Sequence, residues 1–199
     1  RAEALEAPGF GYPQTLAGRR IGVARDAAFS FIYEANLLAL RAMGAQIVEF
    51  SPLSDSALPE GLDALYLPGG FPEVFEDELT GNAAMAASVR EAVEDGLRVY
   101  AECGGMLYLS MIGALPLNWR MTGRLQRFGY VTVSDGERTF PAHEFHHSVV
   151  ELTAPLETRF EVRKGETVYR EGYVYKNALA GYPHIHFFDR PALAERLFL

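Results

Sequence analysis

The sequence feature that most constrains the fold and chemistry of this chain is the segment around its single cysteine, Cys103. The apolar run Leu97-Arg98-Val99-Tyr100 precedes it, and the pair Gly104-Gly105 separates it from a second apolar stretch beginning at Met106. This order predicts a strand that ends in a sharp turn and is followed directly by a helix. Because the free N–H groups at a helix start favour an anion, the turn would stabilise the thiolate form of the cysteine.

A lone cysteine also has a simpler interpretation, because free cysteines are commonly buried, inert and packed like small apolar residues. The flanking glycines favour the other interpretation, since they leave the backbone around the sulfur open to a substrate. Serine hydrolases place their nucleophile on the same kind of strand-to-helix turn. The segment alone leaves both interpretations open, and the rest of the chain has to decide between them.

Composition excludes several classes of protein. The chain has 199 residues, 49% of them hydrophobic and 22% charged, which is typical of a globular domain with a substantial core. The formal net charge is -8 and no basic stripe is present, so nucleic acid is not expected as a partner. The sequence has neither an apolar run of about eighteen residues nor a signal pattern, which predicts no membrane association. A single cysteine suits the reducing cytoplasm, which is the predicted location.

The order of predicted elements divides the chain into two parts. Residues 1–19 are rich in glycine and proline and are predicted to be a linker or lead-in, and residues 20–199 a single domain. The chain begins at Arg1 rather than at methionine, which fits an excised domain. Strands predicted at 20–24, 45–50, 62–67 and 97–100 alternate with helices predicted at 31–43 and 82–95. We expect Ser30 to cap the first helix.

This alternation predicts a parallel sheet with helices on both faces. In the second half, predicted strands around 128–133, 144–152, 159–162 and 173–175 follow one another with few helices between them. We therefore expect shorter, partly antiparallel pairing there, closed by a helix over 190–199. The predicted fold class is α/β.

A cysteine nucleophile would need a base and a set of oxyanion donors close to it in space. The turn Gly69-Gly70 follows a predicted parallel strand, as Cys103 does, so both should lie at the same edge of the sheet. The N–H groups of the Gly69-Gly70 turn, together with that of Gly104, could hold an oxyanion. The histidines fall into two groups, 143, 146 and 147, then 184 and 186. A metal site would require both groups to converge, and no spacing such as His-Glu-x-x-His supports one.

Three motifs together carry a resemblance to a known family. Tyr66-Leu67-Pro68-Gly69-Gly70-Phe71-Pro72-Glu73, Tyr100-Ala101-Glu102-Cys103-Gly104-Gly105 and Tyr182-Pro183-His184 occur in the order found in class I, triad-type glutamine amidotransferase domains. With His143-Glu144-Phe145-His146-His147-Ser148, the chain from about residue 20 to 188 resembles the C-terminal glutaminase domain of the cobyrinic acid a,c-diamide synthase family.

The resemblance implies a flavodoxin-like fold and a set of site residues. Cys103 would attack the side-chain amide of L-glutamine, His184 would act as the base, and the N–H groups of Gly70 and Gly104 would form the oxyanion hole. Around the glutamine it implies three further residues, with structural packing as the open alternative: Gly69, His146 and Ser148. His186 occupies the position where many amidotransferases carry a carboxylate that orients the base, so what orients His184 is left open.

The resemblance also implies a partner. No metal or cofactor is expected in this domain, and no phosphate loop of the G-x-x-x-x-G-K type occurs in the chain. An N-terminal synthetase domain using ATP and Mg²⁺ would bind cobyrinic or hydrogenobyrinic acid and amidate its a and c carboxylates with the ammonia. Two alternatives stay open. The domain could serve a related ligase, of the cobyric acid synthase or cell-wall lipid amidating type, or it could be a non-catalytic flavodoxin-like binding domain.

Overall fold

A computed structural model describes residues 11–199 of the chain. Part of the predicted lead-in, residues 1–10, lies outside the described residues. Residues 11–19 have no regular secondary structure beyond a turn, but they pack against the domain. Leu16 is fully buried, and its N–H donates to the carbonyl of Met43 at 3.0 Å. This short segment is therefore part of the core packing.

The strands and α-helices of residues 11–199 are numbered here in chain order, strands first and α-helices second. The strands are β1 Arg20–Ala24, β2 Gln46–Phe50, β3 Ala64–Leu67, β4 Arg98–Glu102, β5 Leu117–Met121, β6 Arg127–Ser134, β7 Thr139–His146, β8 Ser148–Leu152, β9 Glu157–Lys164, β10 Thr167–Tyr175, β11 Ala178–Gly181 and β12 His184–Ile185. The helices are α1 Glu34–Ala42, α2 Glu76–Gly81, α3 Ala83–Glu94, α4 Gly104–Met111 and α5 Pro191–Phe198.

Ten strands form one sheet in the order β12-β7-β6-β9-β10-β11-β4-β3-β1-β2, while β5 and β8 pair separately. The strands β2, β1, β3, β4 and β11 are parallel neighbours, which confirms the predicted parallel half. From β11 to β12 every pairing is antiparallel. The strands of that half are longer than predicted, because β6, β7 and β9 have eight residues each and β10 has nine.

Alternation along the buried strand β3 separates the core into two layers. Leu65 and Leu67 belong to a cluster that includes Met85 of α3 and Met106 of α4. Tyr66, on the opposite face, belongs to a second cluster that contains apolar side chains of α1 and α5. Successive side chains of a strand point to opposite faces, so helices cover both sides of the parallel sheet, as predicted.

The first helix begins later than predicted, and its capping was wrongly assigned. It starts at Glu34 with Tyr33 at the N-cap, so Ser30 does not cap it. The physical reason lies in the glycine turn after β3: Phe31 donates its N–H to the carbonyl of Gly69 at 3.1 Å, which holds the preceding segment extended. The closing helix α5 confirms the prediction, with Pro191 in its first turn. None of the helices in residues 11–199 has the length and apolarity needed to cross a membrane.

The sheet curls enough to bring its two halves together at one point. In the strand order, β12 lies six positions from β4. Nevertheless the N–H of Ile185 on β12 donates to the carboxylate of Glu102 on β4 at 2.9 Å. The edge of the antiparallel half therefore returns to the carboxyl end of the parallel half, and it carries His184 there.

Candidate active site

The backbone at Cys103 confirms the predicted turn between strand and helix. This residue lies between the end of β4 and the start of α4, with φ 46° and ψ -102°. A left-handed φ at a residue other than glycine costs on the order of 1–3 kcal/mol and is often found at functional sites. The Cys103 N–H donates to the carbonyl of Gly181 at 2.7 Å, which ties the turn to β11. The thiol is free and the residue is only 7% exposed.

Two glycine pairs allow the turns after β3 and β4 to touch. A Cβ atom at Gly105 would lie 2.1 Å from the carbonyl oxygen of Leu67, and one at Gly70 would lie 2.0 Å from that of Ala28. A Cβ atom at Gly104 would lie 2.9 Å from the nitrogen of Gly70. Contacts this short with backbone atoms exclude any side chain at these positions. The backbones of Gly70 and Gly104 are thus packed against each other at the turn that carries Cys103.

His184 reaches this point from the other half of the sheet. It is 4% exposed, and it lies opposite His143 in the pairing of β12 with β7. Its ring packs against Gly69, where a Cβ atom would come within 2.3 Å of His184 Cε1, and against the ring of Phe31 with centroids 4.4 Å apart. The structure therefore places Gly69 in direct contact with the His184 ring, where no side chain would fit.

A buried asparagine of α1 holds the short strand that carries His184. Asn36 donates through Nδ2 to the carbonyl of Ile185 at 2.8 Å, and its Oδ1 accepts from the N–H of Phe187 at 2.9 Å. Asn36 is fully buried. Because β12 has only two residues, these two bonds replace much of the ladder that a longer strand would have.

The environment of His184 favours its charged form. Burial lowers its pKa, but the Cys103 thiol and the Glu102 carboxylate beside the ring outweigh burial and raise the pKa to about 9. The imidazole is therefore protonated at neutral pH in the resting site. A thiol and a histidine that interact in this way form the pairing that activates cysteine nucleophiles.

A narrow pocket opens onto the sulfur, with a cavity volume of about 50 Å³. A cavity of this size has room for the end of a narrow side chain such as a terminal carboxamide. The pocket is lined by backbone and side chains from both halves of the sheet, among them Gly70, Glu73, Cys103, His146, His147 and Ser148.

Two of the three residues predicted to surround glutamine, His146 and Ser148, line this pocket, whereas Gly69 does not. The His146 ring stacks on that of Tyr182 with centroids 3.6 Å apart, and its Nδ1 lies 2.8 Å from the Ser148 carbonyl. Burial is the main effect on His146 and lowers its pKa to about 4, so the ring is neutral at pH 7. The Ser148 and Tyr182 hydroxyls are 3.0 Å apart.

Sequence reasoning missed several residues of the site. Glu73 and His147 line the pocket, Asn36 holds β12, and Glu102 contacts the base. Glu102 alone left a signal in the sequence, because it is a charged residue that ends an apolar strand and therefore needs buried partners. Within residues 11–199, no group of three or more His, Cys, Asp or Glu side chains converges in the manner of a metal site.

Comparison with known proteins agrees with this geometry. Residues 20–192 match the model of the CobB/CobQ-like glutamine amidotransferase domain. A cobyrinate a,c-diamide synthase of Listeria innocua is 40% identical over 205 residues, covering 92% of this chain and 45% of that protein. One from Clostridium acetobutylicum is 44% identical over 187 residues, covering 85% of this chain and 43% of that protein. The chain thus spans less than half the length of these relatives.

Solved structures share the fold at low sequence identity. PurLQS from Thermotoga maritima superposes with a TM-score of 0.65 at 16% identity, covering 90% of this chain and 95% of that one. A glutamine amidotransferase from the same organism gives 0.64 at 15% identity, covering 83% of this chain and 75% of that one. At such identities the likeness establishes the fold alone, and the family rests on the sequence match. On that match, the chain belongs to the CobB/CobQ-like glutamine amidotransferase domain family.

Proposed function

We propose that this domain hydrolyses L-glutamine to glutamate and ammonia through a thioester on Cys103. The observation that carries the proposal is the strained turn at Cys103, whose side chain interacts with His184 and which adjoins the contact between the backbones of Gly70 and Gly104. A buried cysteine that served only as packing would not need a left-handed backbone or a buried histidine beside it.

The reaction follows from these groups. In the resting pair the imidazole of His184 holds the proton that the Cys103 thiol has given up, and the thiolate attacks the side-chain carbonyl carbon of glutamine. The N–H groups of Gly70 and Gly104 hold the oxyanion that forms. The tetrahedral intermediate collapses as His184 returns the proton to the leaving nitrogen, which departs as ammonia. Water then attacks the thioester, giving its proton to His184, and glutamate leaves as the thiol is restored.

The pocket supplies groups that can select glutamine. His146 is neutral and packed on Tyr182, and with Ser148 it forms a polar wall beside the carboxamide. Glu73 lies at the same pocket near His147, and burial raises the pKa of its carboxyl. A carboxylate and an imidazole at one pocket suit the amino and carboxylate groups of a free amino acid. We assign them that role.

The ammonia is proposed to serve a synthetase on the longer polypeptide of this family. The named relatives are cobyrinate a,c-diamide synthases more than twice as long as the matched segment. An N-terminal domain there would use ATP and Mg²⁺ to activate the a and c carboxylates of a corrinoid acid, which the ammonia then amidates. The single cysteine suits the cytoplasm as the site of this reaction.

The experiment separates the two half-reactions in the full-length enzyme. With cobyrinic acid, ATP and Mg²⁺, Cys103→Ser should abolish amidation driven by glutamine and retain amidation driven by ammonium salts. Loss of both would show that Cys103 is structural, and retention of both would show that it is not the nucleophile. A panel with cobyric acid precursors and a cell-wall lipid substrate identifies the acceptor, because the family also contains CobQ-like members.

A further inference from the structure

A carboxylate beside the base comes from the residue immediately before the nucleophile. Glu102 is 1% exposed, and both of its oxygens face partners. Oε1 accepts from the Tyr100 hydroxyl at 2.7 Å and from the N–H of Ile185 at 2.9 Å. Oε2 accepts from the Tyr66 hydroxyl at 3.0 Å. Three donors on a buried carboxylate fix its position.

The same carboxylate lies beside an unsatisfied atom of His184. Glu102 Oε2 is 3.7 Å from His184 Nδ1, which is longer than a hydrogen bond but close enough for strong attraction in a buried site. His184 Nδ1 is buried, and within residues 11–199 it has no hydrogen-bond partner. A buried N–H without an acceptor costs about 1–3 kcal/mol, so a small rotation that closes this gap would be favourable. With Nδ1 facing Glu102, Nε2 is the nitrogen available to the thiol.

Other titratable groups near His184 do not take this role. His143 and His146 act on it only as further basic groups, and Glu144 is held by the Tyr169 hydroxyl at 2.6 Å. His186 packs against the ring of Tyr33, with centroids 5.3 Å apart. Cys103 and Glu102 are the groups that raise the pKa of His184 most, and the Glu144 carboxylate interacts with it through charge alone.

We propose that Glu102 is the positioning residue of the catalytic pair, supplying from the strand before the nucleophile the carboxylate that orients His184. The inference rests on the proposed glutamine hydrolysis and names the group that completes it. It explains how the site functions with His186 in the position where many amidotransferases carry a carboxylate. It also gives a role to Tyr66 and Tyr100, whose stacked rings aim two hydroxyls at one carboxylate.

The test measures alkylation of Cys103 by iodoacetamide in the full-length enzyme, quantified by peptide mass spectrometry between about pH 5 and pH 10. Glu102→Gln removes the charge at nearly constant volume. We expect the inflection for loss of the His184 proton to move to lower pH by about one unit, and kcat for glutamine to fall about 10–100-fold. The KM for glutamine and ammonia-driven amidation should stay within about threefold.

The matched control is Glu171→Gln. Glu171 is also a buried carboxylate, with a pKa raised to about 7 mainly by burial, but it bonds to the backbone at Gly172 and Tyr182 rather than to His184. The Glu171→Gln variant should keep the wild-type dependence of Cys103 alkylation on pH and the wild-type kcat for glutamine. An unchanged profile in Glu102→Gln, or an equal shift in the control, would overturn the inference. Inactive wild-type enzyme with glutamine would instead contradict the proposed function.

A second variant keeps the test decisive if Glu102→Gln does not fold. Tyr66→Phe removes the donor that competes for Oε2 while the carboxylate stays in place. The carboxylate should then bind His184 more strongly, so the inflection should move to higher pH, opposite to the shift in Glu102→Gln. A shift to lower pH, or none, would contradict the assignment.

Discussion

The two halves of the sheet contribute to the site in different ways. The parallel half contributes backbone. The turns that carry Gly70 and Cys103 follow adjacent strands, and their backbones pack so closely that no side chain fits between them. The antiparallel half contributes side chains: His184 and His146 reach the site because that half curls back across six strand positions, and Ser148 follows at the start of β8. The nucleophile is thus set by local geometry, and the base by the closure of the whole domain.

The largest expected effect comes from removing the base, His184, while the parallel half stays intact. His184→Gln should lower kcat for glutamine about 10³-fold, equivalent to about 4 kcal/mol, because the imidazole that passes the proton from the thiol to the leaving nitrogen is lost. His186→Gln is the matched control, since that ring only packs against Tyr33 and Phe188. Steady-state ammonia release measures both. Equal losses in the two variants would indicate a general packing defect.

The next largest effect comes from breaking the backbone contact between Gly105 and Leu67 in the parallel half. Gly105→Ala would place a Cβ atom 2.1 Å from the Leu67 carbonyl oxygen, and neither backbone can move freely. We expect a loss of about 3 kcal/mol in the free energy of unfolding. Gly81→Ala is the control, because a Cβ atom there has no atom within 4 Å. Urea unfolding measures both, and a stable Gly105→Ala protein would refute the close contact.

A smaller effect tests how the antiparallel half holds the base. Asn36→Ala leaves the Ile185 carbonyl and the Phe187 N–H buried without their partner, at a cost of about 2 kcal/mol. Glutamine hydrolysis should fall more than alkylation of Cys103, because β12 loosens while the turn stays. Asn118→Ala, at an exposed position, should change neither rate. Equal loss of both rates in Asn36→Ala would contradict the division between the halves.

A separate effect is a dependence of stability on pH with opposite signs at two histidines. His146 has a pKa near 4 in the fold, below its ordinary 6.5, so its contribution is lost as pH falls from about 6.5 to 4. His184 has a pKa near 9, above the ordinary 6.5, so its contribution is complete below about 6.5 and lost as pH rises to 9. Each slope is at most about 1.4 kcal/mol per pH unit.

Denaturation followed by the fluorescence of Trp119 at a series of pH values measures these slopes. His146→Phe, which retains stacking on Tyr182, should flatten the acid side of the stability profile. His184→Gln should flatten the alkaline side. If each variant keeps the wild-type profile, the two histidines do not have the environments described.

The same division explains what the sequence could predict. The strand-to-helix turn at Cys103 and the parallel half were predictable, because glycine, apolar strands and helix periods are local signals. The start of α1 was not, because Phe31 is held by Gly69 through a contact that has no local pattern. The roles of Glu102 and Asn36 were not predictable for a related reason. They depend on β12, a strand of two residues whose position depends on the curl of the sheet.

The central claim is that Cys103 forms a covalent bond with glutamine. The most direct measurement is rapid acid quenching of the full-length enzyme with labelled glutamine, followed by mapping of the bound label. The account predicts a glutamyl thioester on the peptide that contains Cys103, and its absence in Cys103→Ser. Glutamine hydrolysis with no label on that peptide, or with label on another residue, would contradict it.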